Sequence, residues 1–133
     1  METALRRALA YEAATRREQV LPGTQLLSPE AFTRRLAAAC ALQRADMADH
    51  LLLRIRSSDW NAFNLWEQFR DVCRESDAIG RAADHSLCIL LEQAGAADLP
   101  GILRRLSTRG ISAQEVSPEE QLRLAGTTQE ETV

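Results

Sequence analysis

Residues 50–56 read His50-Leu51-Leu52-Leu53-Arg54-Ile55-Arg56, a short aliphatic run without the polar alternation of a half-exposed strand. Such a run reads as a buried strand, and a buried strand needs other strands beside it and helices over it. The neighbouring segments supply both. Upstream, Ser28-Pro29-Glu30 is a helix start, with Ser as the cap and Pro at the first helical position. Phe32, Leu36 and Cys40 then fall on one face of a helix running to about Arg44, and residues 47–49 form a connector. Downstream, Ser57-Ser58 offer a cap for a helix whose stripe is Ala62, Leu65, Trp66, Phe69, Val72 and Cys73.

Two short strands follow, near 78–82 and 86–92, joined by a tight turn at Ala83-Asp84-His85. Asp98 is placed to cap a helix carrying Leu99, Ile102, Leu103 and Leu106, with Gly110 at its stop. Residues 111–116 add an edge strand, and Ser117-Pro118-Glu119-Glu120 is a capping box opening a last short helix. The expected class is α+β: an antiparallel-containing sheet with helices on one side. Residues 1–20 form a leader helix, 21–116 the main domain, and 117–133 a short helix with a frayed tail.

At 133 residues the chain suits one domain, and a core of that size needs no disulfide or metal staple. Its 45% hydrophobic content argues against disorder, and its net charge of -3 argues against nucleic-acid binding through bulk positive charge. All 16 basic residues are arginine, whose flat, forked donors suit planar anions and guanine edges. Cys40, Cys73 and Cys88 are odd in number and lack CxxC spacing, so they read as buried thiols in a reducing compartment. With no signal-peptide core and no stretch of ~18 apolar residues, the expectation is a cytoplasmic protein without membrane insertion.

The order of these elements, with the words inside it, resembles the GGDEF (diguanylate cyclase) family from about Leu21 to Ile111. The segment Leu21-Pro22-Gly23-Thr24-Gln25-Leu26-Leu27-Ser28-Pro29-Glu30-Ala31-Phe32 is similar to the family's opening DPLTGLPNRRAF. Arg74-Glu75-Ser76-Asp77-Ala78-Ile79-Gly80-Arg81 is similar to RESDLVAR, and Cys88-Ile89-Leu90-Leu91 stands where the family has AVLL. The resemblance implies a nucleotidyl-cyclase-like, ferredoxin-like fold.

It also implies a lost activity. Active members join two GTP molecules into cyclic di-GMP with metal-binding carboxylates at the end of the first strand and in the signature turn. Here the strand ends in Arg54 and Arg56, which repel a cation that demands oxygen ligands. The GGDEF signature is replaced by Ala83-Asp84-His85-Ser86-Leu87. Arg54 and Arg74 stand only 20 positions apart, leaving no room for the guanine-holding NDxxGHxxGD segment. The implied domain is not an enzyme and carries no cofactor.

What the resemblance retains is the family's inhibitory RxxD, five residues before the signature, at Arg74 and Asp77. The four-letter pattern itself recurs at Arg56/Asp59 and Arg81/Asp84, so position alone singles out the middle pair. The family adds an arginine from the helix after the hairpin, and Arg105 matches it with Arg104 beside it. Guanine offers O6 and N7 to an arginine fork, and its N1-H and N2-H suit a carboxylate. The implied function is a cyclic di-GMP receptor, bound through Arg74, Asp77, Arg105 and Arg104, that regulates a protein partner in exopolysaccharide secretion or biofilm formation. Ligand would bias how the protein pairs with itself or that partner. The alternative is a ligand-free interaction scaffold built on the same fold.

Overall fold

The computed structural model describes residues 24–57, 59–71 and 76–126. The expected leader helix, the tail from 127, Arg74, Val72 and Cys73 lie outside them. Four strands, β1 (His50–Ile55), β2 (Ala78–Arg81), β3 (Leu87–Glu92) and β4 (Ala113–Glu115), form one sheet in the order β2-β3-β1-β4. Every ladder is antiparallel, with Leu53 opposite Ile89 on one side of β1 and Glu115 on the other. The helices are α1 (Pro29–Arg44), α2 (Ala62–Phe69), α3 (Leu99–Thr108) and α4 (Pro118–Leu124). The central succession β1-α2-β2-β3-α3-β4, with β3 inserted between β1 and β2, is a split β-α-β arrangement.

Successive strand residues face opposite sides of a sheet. Leu52, Ala78, Cys88 and Leu90 pack with Phe32 and Leu36 of α1 and Leu124 of α4. Leu51, Leu53, Ile79, Ile89 and Leu91 pack with Leu65 and Phe69 of α2 and Leu106 of α3. Helices therefore cover both faces, not one as expected. The strands themselves require this: a sheet covered on one side would leave either Leu52 and Leu90 or Leu53 and Ile89 in water.

Local signals explain most boundaries. The Ser28 hydroxyl accepts the Ala31 amide at 3.2 Å, and Pro29 opens α1. α2 starts later than expected because Asn61 is its cap, accepting the Asn64 amide at 2.8 Å. The Ser57 hydroxyl accepts from Asp59 instead, at 3.2 Å. Asp98 occupies the cap position of α3, but its carboxylate accepts from the Gly95 amide at 2.9 Å. Gly110, at φ 77°, ends that helix as anticipated. Only half of the expected capping box at α4 forms: Ser117 accepts the Glu120 amide at 3.3 Å, while the Glu120 carboxylate turns to Arg54.

α4 belongs to the core rather than to a tail. Its Gln121 is buried, donates to the Val116 carbonyl at 2.8 Å, and accepts from His50 Nε2 at 2.5 Å. Among the described residues no helix is long and apolar enough to cross a membrane.

Gly80 is the tightest backbone approach. A Cβ there would stand 2.8 Å from Phe32 Cδ2 and 3.0 Å from two further atoms of that fully buried side chain. Overfilling a close-packed core of this kind costs about 1–3 kcal/mol. Gly80→Ala should lose stability in that range in urea unfolding, and adding Phe32→Leu should return part of the loss.

Candidate functional site

Asp77 lies one residue before β2 and is 4% exposed, in contrast to the open position expected of a ligand-binding carboxylate. It shares a cavity of about 50 Å³ with Arg105, between apolar walls that include Phe69, Leu91 and Ile102. The helical phase of α3 explains the partnership. Ile102 and Leu106 turn toward the sheet, so Arg105, three residues after Ile102, stands at the rim of the packed face. Arg104 falls near the opposite side of the helix; it is exposed and lines no part of this cavity. Arg74 is outside the described residues. Of the four expected site residues, two meet.

A cavity of this size has room for one or two waters, since one water claims ~30 Å³ of liquid. Small-molecule pockets are usually ~300 Å³ or more. The polar edge of a ligand fits such a space, and a whole ring does not.

Glu92, at the end of β3, also lines the cavity and was not among the expected residues. Arg35 of α1 reaches it, with Nη2 3.1 Å from Oε1, and the same guanidinium donates to the Ser76 carbonyl at 2.8 Å. Arg35 thus ties the residue before Asp77 to the end of β3. No local pattern announces this contact, because 57 positions separate its partners.

At the other end of the sheet Arg54, at the close of β1, stands beside the β2–β3 turn. Arg54 Nη2 donates to Asp84 Oδ2 at 3.0 Å and to Glu120 Oε1 at 2.9 Å. The hydrogen bond to Glu120 leads the effects that hold the guanidinium above its ordinary value, outweighing partial burial. For Asp84, burial alone would raise the carboxyl. The Ser86 hydroxyl and amide, at 2.5 and 3.0 Å, and the Arg54 charge reverse that and hold it below its ordinary range. Burial pushes the Cys88 thiol up, so it has little thiolate character at neutral pH.

A cation fits poorly here. The carboxylates that would ligate it already face a fixed positive charge, and among the described residues no three His, Cys, Asp or Glu side chains gather as metal ligands do. Of the two histidines, His85 is an exposed turn residue at φ 69°, as expected, whereas His50 is buried beneath α4.

The low value of Asp84 has a defined pH signature. A carboxyl depressed in the fold contributes stability that is fully present above its unfolded value, about 4, and is lost as pH falls through the folded value. Ser86→Ala should therefore be less stable than wild type at neutral pH. The two unfolding curves should converge as the pH drops below about 4.

No protein-family model matches this chain, and no curated protein matches its sequence.

Proposed function

We propose that this chain is a catalytically inactive GGDEF-like domain with a ferredoxin-like core, and that it binds cyclic di-GMP to regulate a protein partner. The observation that carries this reading is the meeting of Asp77 and Arg105 at one cavity, although 28 positions separate them. Support also comes from the split β-α-β order, which suits the resemblance, and from Arg54, which the resemblance sets in place of a carboxylate and which pairs with Asp84.

In this reading the Asp77 carboxylate accepts from N1-H and N2-H at a guanine edge. Arg105 and Arg74 donate to O6 and N7 of a guanine, or to a phosphate. Only the edge of the base enters; the ring and the rest of the dinucleotide lie on the surface, where exposed Arg104 adds charge. A second ligand molecule stacked on the first would bridge to another arginine-bearing surface and bias pairing with a second copy or the partner. The resemblance points to exopolysaccharide secretion or biofilm formation as the setting.

A second reading, a ligand-free interaction scaffold, has its own support. Asp77 is buried, and Phe63 is 46% exposed beside Trp66, over which Arg70 stacks at 5.6 Å. Aromatic and arginine side chains together mark protein interfaces.

Calorimetry with cyclic di-GMP separates the two. Saturable binding is expected, weakened by about 1–3 kcal/mol in Asp77→Ala and in Arg105→Ala. Arg105 is exposed, so its variant reports on the ligand with little change in folding. No binding at high micromolar ligand overturns the receptor reading and leaves the scaffold.

A further inference from the structure

Where β1 leaves the sheet and the β2–β3 turn closes, the α2/α3 face carries a second concavity, of about 280 Å³. Arg56, Arg81, His85 and Trp60 stand around a floor made by Ile55 and Leu87. The pairing of Arg81 with Leu87 places both on the same face as Ile79 and Ile89, so the floor is the end of the apolar core. This concavity has no lining residue in common with the Asp77–Arg105 cavity.

Its charge is one-sided. No carboxylate is among its lining residues, and neither Arg56 nor Arg81 is ion-paired among the described residues. Asp84, in the same turn, is engaged with Arg54 and Ser86. Asp59 and Glu67 line the adjoining groove instead. Arg81 Nη1 donates to the His85 carbonyl at 2.9 Å, which fixes one side of its fork and leaves further N–H donors for a ligand. The half-buried Trp60 adds a flat apolar wall.

Two guanidinium groups beside one concave surface repel one another until an anion enters. Guanidinium forks match the oxygens of a phosphate, and an indole wall accepts a planar ring. We propose that this pocket binds a phosphate monoester carried by an aromatic base, such as a nucleoside monophosphate. The phosphate lies between Arg56 and Arg81, and the ring lies against Trp60. The lining supplies cations rather than oxygen ligands, so the site needs no bridging metal. It is a different site from the one proposed for cyclic di-GMP and stands or falls separately.

The test is calorimetric titration of the full chain with AMP and with ribose 5-phosphate, both in EDTA. AMP should saturate, bind more tightly than ribose 5-phosphate, and weaken as salt rises. Arg56→Ala and Arg81→Ala should each lower AMP affinity about tenfold, the loss of one charge-assisted contact. Trp60→Ala should bring AMP down to the level of ribose 5-phosphate, while Arg105→Ala should leave AMP binding unchanged. Arg81→Ala also removes the bond to the His85 carbonyl, so Arg56→Ala is the variant that reads ligand contact alone. Failure of AMP to saturate at about 10 mM, or wild-type affinity in the Arg56→Ala/Arg81→Ala double variant, overturns the proposal. Equal affinity for AMP and ribose 5-phosphate overturns the aromatic half of it.

Discussion

The structure depends on β1 being dry on both faces. Leu52 and Leu53 are each completely buried and point in opposite directions, so one strand anchors two separate apolar cores. Fully burying a leucine is worth about 1.5–3 kcal/mol, and both cores draw on this central strand. The split β-α-β order follows from the same constraint. β1 must be flanked by β3 and β4, and each face must have its own helical cover. α2 and α3 take one face, and α1 and α4 take the other.

The two outer strands of the sheet are protected in different ways. Beyond β2, the chain just before α1 runs alongside. The Leu27 amide donates to the Ile79 carbonyl at 3.0 Å, and the Ile79 amide donates to the Gln25 carbonyl at 2.9 Å. At the other side β4 is only three residues long and carries Gln114 and Glu115, both exposed. Short, polar edges of this sort discourage pairing with another chain.

Much of this architecture is legible in the sequence, and the exceptions have physical reasons. Ser28-Pro29 marks the start of α1 without ambiguity, because cap and first-turn proline coincide. The start of α2 is ambiguous, since Ser57, Ser58 and Asn61 are all good caps and only the fold decides among them. The missing alternation in Leu51-Leu52-Leu53 already demands cover on both faces, although a one-sided arrangement is the simpler reading of five helices and few strands. Within the candidate site, the rim position of Arg105 follows from helical phase. The burial of Asp77 does not, because it depends on Phe69, Leu91 and Ile102 arriving from three other elements. The bridges from Arg35 to Glu92 and from Arg54 to Glu120 join distant parts of the chain, and neither has a short-range signature.

Arg54 has a consequence for how the hairpin keeps its shape. A loop organised around a dissolved ion loosens when that ion is scarce or chelated, because its occupancy follows concentration. The positive charge between Asp84 and Glu120 is instead part of the polypeptide, and a guanidinium stays protonated throughout the physiological range. The turn is thus tethered to α4 by a counterion that cannot diffuse away, and its geometry is independent of the cation supply around it.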